Sequence, residues 1–341
     1  FDLDWDLDIL LKGVAGIMRS NKIDALVALD DFDVEKATFL RENLRIPGMG
    51  QTTGRYFRDK LAMRVKAKSA RILVPAFSAL FNDAEINNYA DTISPPWVLK
   101  PRSEASANGI MKVNSKEELW NKIHELGDNR IKYLVEQFKP GAVFHNDSLI
   151  WNGKVLFSNT SQYLATPMEI SQEGGIFRSA TETYNATNDK EIKKVNLQVM
   201  KAFSMLYGAS HTEFIKCNDD GKVYFLETSS RVGGAHLAEM IEAATGINMW
   251  KEWAAIEHAL INGTIYNLPE NKQEYAGIVL TLSKFENPDL SSFNNPEVCF
   301  KVPLKYHAGL IVKSENRLKV LELLDDYATR LVKDFATSAQ Q

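Results

Sequence analysis

H-T-E-F-I-K-C-N-D-D-G-K-V-Y-F-L-E-T-S-S-R-V-G-G, residues 211–234, decides how this chain is read. Glu213 sits in a short strand-like run, T-E-F-I. N-D-D-G at 218–221 is a hairpin turn signal, and K-V-Y-F-L-E carries Glu227 at its end. Folding the two runs together places both carboxylates side by side on one face. Paired carboxylates are costly unless a proton or a cation sits between them. At neutral pH the cation reading is natural, and hard oxygen ligands suit Mg²⁺, which favours sites completed by substrate phosphates. Arg231 offers a planar fork for a carboxylate or phosphate. Gly233 and Gly234 let the backbone approach a ligand before a helix expected from Ala235. The competing reading is an ordinary solvated ion pair, which is worth little.

Upstream, W-V-L-K-P at 97–101 reads as a strand ending in Lys100. It is followed by R-S-E-A-S-A-N-G, with Ser103, Ser106 and Gly109, and a new strand at 110–113. A lysine at a strand end before a small-residue loop makes a phosphate cover of inward N–H groups and one charge, the alternative being a plain surface hairpin. Residues 56–68 read as a basic helix containing Lys60, where solvated lysines are the ordinary case. Residues 72–75 read as a strand and 82–90 as a helix. S-K-E-E at 115–118 is a capping box that opens a helix to about 126.

Y-L-V-E-Q-F at 133–138 is a strand leading into K-P-G, and N-G at 152–153 joins two further strands into a hairpin. His145 and Asp147 alternate with apolar residues there. They could serve as a ligand or catalytic pair, but the alternation favours a solvent-facing strand edge. Residues 166–182 carry few secondary-structure signals, and a loop of that length is usually functional, with Arg178 its candidate. Residues 189–207 form an amphipathic helix whose Met200, Phe203 and Leu206 are core. Helices follow at 235–244 and 249–260, where His236 and His258 read as packing or surface residues. Strands return from 274, and a last helix spans 315–335.

The first 55 residues alternate helix and strand: a helix at 9–18, a short buried strand at 24–30 and a helix at 34–44. Such alternation implies a parallel sheet, resembling the back half of a nucleotide fold that lacks its first strands. Gly48 and Gly50 lack the third glycine of a dinucleotide fingerprint and read as a turn. The 341 residues carry 45% hydrophobic and 25% charged side chains and a net charge of −4. That balance gives no support for a nucleic-acid or anionic-membrane partner, and no apolar run approaches the roughly 20 residues that span a bilayer. Two cysteines, Cys217 and Cys299, outside any CxxC pattern suggest a reducing compartment, with cytoplasm as the default.

The ordered set D-K on a helix, a strand ending K-P with its small-residue loop, V-E-Q-F-K-P-G, a hairpin, Glu213 and then E-T-S-S-R resembles the ATP-grasp superfamily from about Leu26 to the end. The resemblance implies an α+β and α/β architecture in which two lobes sandwich ATP behind a truncated Rossmann-like domain. Expected divisions are 1–58, a small lobe at 59–138, a large lobe with the metal site at 139–268, and 269–341 completing that lobe. Carried over, Lys60 and Lys100 would contact the ATP phosphates, and the loop with Ser103, Ser106 and Gly109 would close over them. Glu136, Gln137 and Phe138 fall at the hinge, where the adenine edge is bound largely through backbone groups, and Leu226 would pack on the base. Glu213 and Glu227 would hold Mg²⁺, with Mn²⁺ as a substitute, and Arg231 would bind the carboxylate or its acylphosphate oxyanion. Two departures stand out: Ser229 replaces the asparagine that ligates a second metal, and Val143 replaces the acidic ribose contact.

H-T-E-F-I and the Asn-less E-x-x-x-R look most like the L-amino-acid ligase and carnosine-synthase branch. The implied activity is an ATP-dependent carboxylate–amine ligase acting through an acylphosphate on small-molecule carboxylate and amine substrates. A homodimer is one assembly this allows. The alternatives are a bicarbonate-activating enzyme like biotin carboxylase or carbamoyl-phosphate synthetase, and a Mg·ATP-binding module without catalysis.

Overall fold

The computed structural model describes residues 6–104, 109–165 and 176–336. At the N-terminal end, α1 (Leu7–Met18) packs on α2 (Val34–Leu44) through Leu10, Val14 and Leu40. Residues 24–30, expected as a buried strand, join no sheet. The Leu26 carbonyl accepts instead from the Arg41 side chain, Nε at 2.9 Å, so the segment finds backbone partners without a ladder. With that strand goes the expected parallel sheet: every strand pairing among the described residues is antiparallel.

The basic helix expected over 56–68 forms only from Lys60. A short α3 (Gln51–Arg55) ends in a turn, and α4 (Lys60–Ser69) starts afresh because the Asp59 carboxylate accepts from the Leu61 and Ala62 N–H groups. Residues 72–75 form no strand of a sheet, although the Leu73 carbonyl accepts from Phe225 N at 2.9 Å.

A first sheet follows, of β1 (Phe77–Ala79), β2 (Trp97–Pro101), β3 (Met111–Val113) and β4 (Tyr133–Gln137) in the order β1-β4-β2-β3. Against it lie α5 (Asp83–Thr92) and α6 (Lys116–Leu126), with Leu80, Ile86, Trp97, Leu99, Leu119 and Val135 as core. The capping box forms in a modified way: Ser115 Oγ accepts from Glu118 N, while the Glu118 carboxylate accepts from Asn114 N.

The second sheet holds β5 (Gly141–Trp151), β6 (Lys154–Tyr163), β7 (Phe177–Thr181), β8 (Gly208–Cys217), β9 (Val223–Ser229), β10 (Tyr275–Leu282), β11 (Val298–Lys301) and β12 (His307–Ser314). Their order is β11-β12-β10-β7-β6-β5-β8-β9. The Asn152-Gly153 turn adopts φ of +48° and +71°, the two left-handed conformations a tight hairpin of this twist requires. On one face, α7 (Thr187–Ala202) packs on Phe144, Phe214 and Phe225. On the other, α8 (Leu237–Thr245) and α9 (Met249–Ile261) cover Leu149, Ala209 and Ile278, while α10 (Arg317–Asp334), on the same face as α7, seals Ala180, Val279 and Val312. The helix expected from Ala235 begins two residues later, because Ala235 and His236 both take positive φ, and Leu206, expected in the core, is 55% exposed just beyond the end of α7. Among the described residues no helix is long and apolar enough to cross a membrane.

Candidate functional site

The β8–β9 hairpin pairs Glu213 directly with Glu227, followed by a bulge before Phe214. β9 is the sheet's edge strand, so α4 reaches its carboxylates from the side. Lys60 Nζ lies 2.7 Å from Glu227 Oε2 and donates to the Glu104 carbonyl at 2.7 Å. Burial alone would raise the Glu227 pKa, but Lys60, Lys100 and Arg64 outweigh it and hold the group down at about 2. Glu227 is therefore ionised at any working pH. Glu213 accepts from the Tyr163 hydroxyl at 2.9 Å. Burial, then Glu213 and Asp147, push that phenol well above its ordinary value, so it remains a donor.

Lys100 and Arg64 converge on Glu136 from either side. All three side chains are almost fully buried, and Arg64 also donates to the Leu226 carbonyl. The Glu136 carboxylate sits below its usual range because the two cations overcome burial; burial draws Lys100 below its ordinary value against the pull of Glu136. The Glu136 side chain therefore anchors the strand-end lysine.

At the hinge expected to bind a base through its backbone, two of the N–H groups are engaged: Gln137 N donates to the Ala76 carbonyl at 2.7 Å, and Phe138 N to the Pro96 carbonyl at 3.0 Å. The Phe138 ring carries Lys112 Nζ at 4.2 Å. In the expected phosphate loop, Ser103 is half-buried and Gly109 has φ of +70°, while Ser106 lies outside the described residues. Val143 is buried against Ile215 and Tyr224.

Arg231 follows the end of β9 and is tied to Asp31, which stands in the turn before α2. Nε and Nη2 both donate to Asp31 Oδ2, the first at 3.0 Å, and Nη1 donates to the Val232 carbonyl at 2.8 Å. Burial is outweighed by Asp31, so the guanidinium pKa rises. Ser229 stands opposite His211 in the ladder. Arg178, expected in a loop, lies on β7. Side chains alternate along a strand, so it falls on the face opposite Ser179 and the Glu213 row, where it pairs with Asp325 of α10.

His145 and Asp147 overturn their reading as a solvent-facing edge. β5 is an interior strand flanked by β6 and β8, and residues 143–150 are all buried. His145 Nδ1 lies 2.6 Å from Asp147 Oδ2, and His211 Nδ1 lies 2.8 Å from Asp147 Oδ1. His145 Nε2 reaches Ser179 Oγ at 2.7 Å, and His211 Nε2 stands 3.3 Å from the Tyr163 hydroxyl and 3.7 Å from Glu213 Oε1. Burial would lower the His211 pKa, but Asp147 and then Glu213 raise it to about 10. Both Nδ1 atoms lie against Asp147, which ties the two imidazoles together. Gly233 explains itself here: a Cβ at that position would stand 2.9 Å from Asp147 Oδ1 and 3.0 Å from His211 Nδ1, so its close approach is to this cluster.

Sequence reasoning missed Arg64, Tyr163, Asp31 and His211, and set His145 and Asp147 aside. For His211 a signal existed: it precedes Glu213 by two in a strand and so shares its face. Asp31 and Arg231 are 200 positions apart, and nothing local joins them.

No known family model matches the chain. It is 25% identical over 254 residues to the L-arginine-specific L-amino acid ligase of Bacillus subtilis, covering 72% of this chain and 60% of that protein. The chain thus spans under two thirds of that relative's length. Its backbone superposes on the crystal structure of an L-amino acid ligase from Bacillus licheniformis with a TM-score of 0.75, at 18% identity, over 100% of this chain and 87% of that one. The biotin carboxylase domain of a 2-oxoglutarate carboxylase from Hydrogenobacter thermophilus, solved with MgADP and bicarbonate, aligns at TM-score 0.70 and 16% identity over 98% of this chain and 80% of that one.

Proposed function

The chain has the ATP-grasp fold, and we propose that it is an ATP-dependent carboxylate–amine ligase. The observation that carries this is the in-register Glu213–Glu227 pair ringed by Lys60, Lys100 and Arg64. Two carboxylates, one held ionised, are the donor set a hard cation takes, and three cations match the charge of a polyphosphate.

In this reading Glu213 and Glu227 hold Mg²⁺, with Ser229 a weak additional ligand and Mn²⁺ a substitute. The ion supplies charge neutralisation at the transferred phosphoryl group. Lys60 and Lys100 bind the phosphates, and Glu136 with Arg64 keeps Lys100 in place. Leu226 packs on the base, and the 136–138 hinge offers its carbonyls. The substrate carboxylate takes the γ-phosphoryl of ATP and ADP leaves. The amine then attacks the acyl carbon, phosphate leaves and the amine loses a proton. Arg231 holds the carboxylate and offsets charge on the oxyanion.

The test is phosphate release from Mg·ATP against amino acids singly and in pairs, with bicarbonate in a separate well. Release requiring an amino-acid pair supports the ligase; release with bicarbonate alone moves the protein to the carboxylases. Glu227→Gln is expected to lower turnover by at least about 100-fold, in line with the loss of one charge-stabilising group, while keeping the melting transition. Turnover retained in that variant refutes the metal assignment.

A further inference from the structure

Glu213 and Glu227 stand opposite each other in the β8–β9 ladder, and like charges so placed repel. The last torsion of a glutamate is broad, so a carboxylate left to itself turns away from such a neighbour. Both are held instead, each through one oxygen. Glu227 Oε2 faces Lys60 Nζ at 2.7 Å, while its Oε1 takes no hydrogen bond among the described residues. Glu213 Oε1 accepts from the Tyr163 hydroxyl at 2.9 Å and has His211 Nε2 at 3.7 Å, while its Oε2 likewise takes no hydrogen bond among the described residues.

The Tyr163 hydroxyl is a fixed donor. Tyr163 ends β6, and its side chain crosses β5 to reach Glu213 on β8. The residue is 6% exposed, and its ring lies against His145 and Phe177 with centroids at 4.7 and 5.8 Å. His211 is steadied in turn by Asp147, whose Oδ1 is 2.8 Å from its Nδ1. Glu213 Oε1 is thus met by two packed side chains, and Oε2 is left open.

We infer that Tyr163, backed by His211, is a positioning residue for the cation: it pins Glu213 through Oε1 and leaves Oε2 to the ion. This rests on the reading of Glu213 and Glu227 as cation ligands and adds what presets one of them. A ligand fixed beforehand needs no ordering when the ion arrives, so an anchor of this kind acts on the ion's affinity. A hydroxyl suits the task because it orients the carboxylate by donation and brings no charge to compete with the cation.

The test is the affinity of the full chain for Mn²⁺, titrated alone and again with ADP, the bound ion being read from loss of the free ion's electron paramagnetic resonance signal. Glu227→Gln identifies the site, and most of the binding is expected to vanish in it. Tyr163→Phe removes the hydroxyl alone and keeps the ring between His145 and Phe177. It is expected to weaken Mn²⁺ binding about 10- to 100-fold, the usual effect of removing a group that holds a metal ligand. Tyr266→Phe is the matched control: the Tyr266 hydroxyl donates to Glu252 Oε2 at 2.7 Å, again between buried residues, but on α9. That variant is expected to lower the melting temperature about as much as Tyr163→Phe and to leave Mn²⁺ affinity unchanged. Equal affinity in wild type and Tyr163→Phe, or an equal loss in Tyr266→Phe, overturns the role of Tyr163 and leaves the cation ligands standing. No Mn²⁺ bound by the wild type in either series, or binding that Glu227→Gln leaves intact, overturns the cation reading and the inference with it.

Discussion

Replacing Asp147 by asparagine removes the charge that two histidines share. In the native chain one carboxylate, 1% exposed, faces His145 and His211 through its two oxygens. Asparagine has one acceptor oxygen and no charge, so one imidazole loses its partner and His211 loses its counter-charge. Breaking a buried ion pair from one side costs about 3–5 kcal/mol. At roughly 2.1 cal/mol/K per residue, a chain of 341 residues unfolds with an entropy of about 0.7 kcal/mol/K, so the midpoint should fall by about 4–7 °C. The pH dependence is the sharper signature. The folded His211 pKa is raised to about 10. Its contribution to stability is fully present below the unfolded value of about 6.5 and is lost as pH rises toward about 10, at roughly 1.4 kcal/mol per pH unit. The stability gap between wild type and Asp147→Asn should therefore be widest below pH 6.5 and close on the way to pH 10. Denaturant melts of both proteins across pH 6–10 read that gap directly, and groups common to both cancel. A gap of constant size over the range would falsify the account of His211 as a buried imidazolium held by Asp147.

Glu136→Gln strands Arg64 and Lys100 as unpaired buried cations and is expected to cost about 3–5 kcal/mol by denaturant melt. Because the Glu136 pKa is depressed, its contribution is present above the unfolded value of about 4.3 and lost as pH falls, so the penalty should shrink in acid. Gly233→Ala pushes a methyl against Asp147 and His211 and should destabilise by about 1–3 kcal/mol, whereas Gly234→Ala, with nothing within 4 Å, should stay within about 0.5 kcal/mol; equal effects would show that the cluster is loosely packed. Arg178→Ala breaks a pair with a largely exposed Asp325 and is expected to change stability by less than about 1 kcal/mol, a larger loss in the melt being the contrary result.

The hairpin of residues 211–229 was legible because its information is local. Strand-forming runs, a polar turn and a fixed number of residues between two glutamates suffice to set which face each side chain takes, since the period of a strand is two. The same holds for the Asn152-Gly153 turn and for Lys100 at the end of β2, and the ordered motifs then pointed to the fold. Local pattern misled where it had no neighbour to act on: residues 24–30 look like a strand but have no ladder to join, and residues 56–58 look helical until Asp59 caps a new helix.

What the sequence by itself determined, then, was the spacing of chemistry along each element. Tertiary structure alone decided the partners. Whether His145 and Asp147 meet water or each other depends on β5 lying between β6 and β8, and strand order is set by burial of both sheet faces rather than by any residue in H-N-D. Whether Arg231 stands free depends on Asp31, brought to it across 200 positions. Charges find one another through space and at short range, and a linear chain records only which charges exist and in what order.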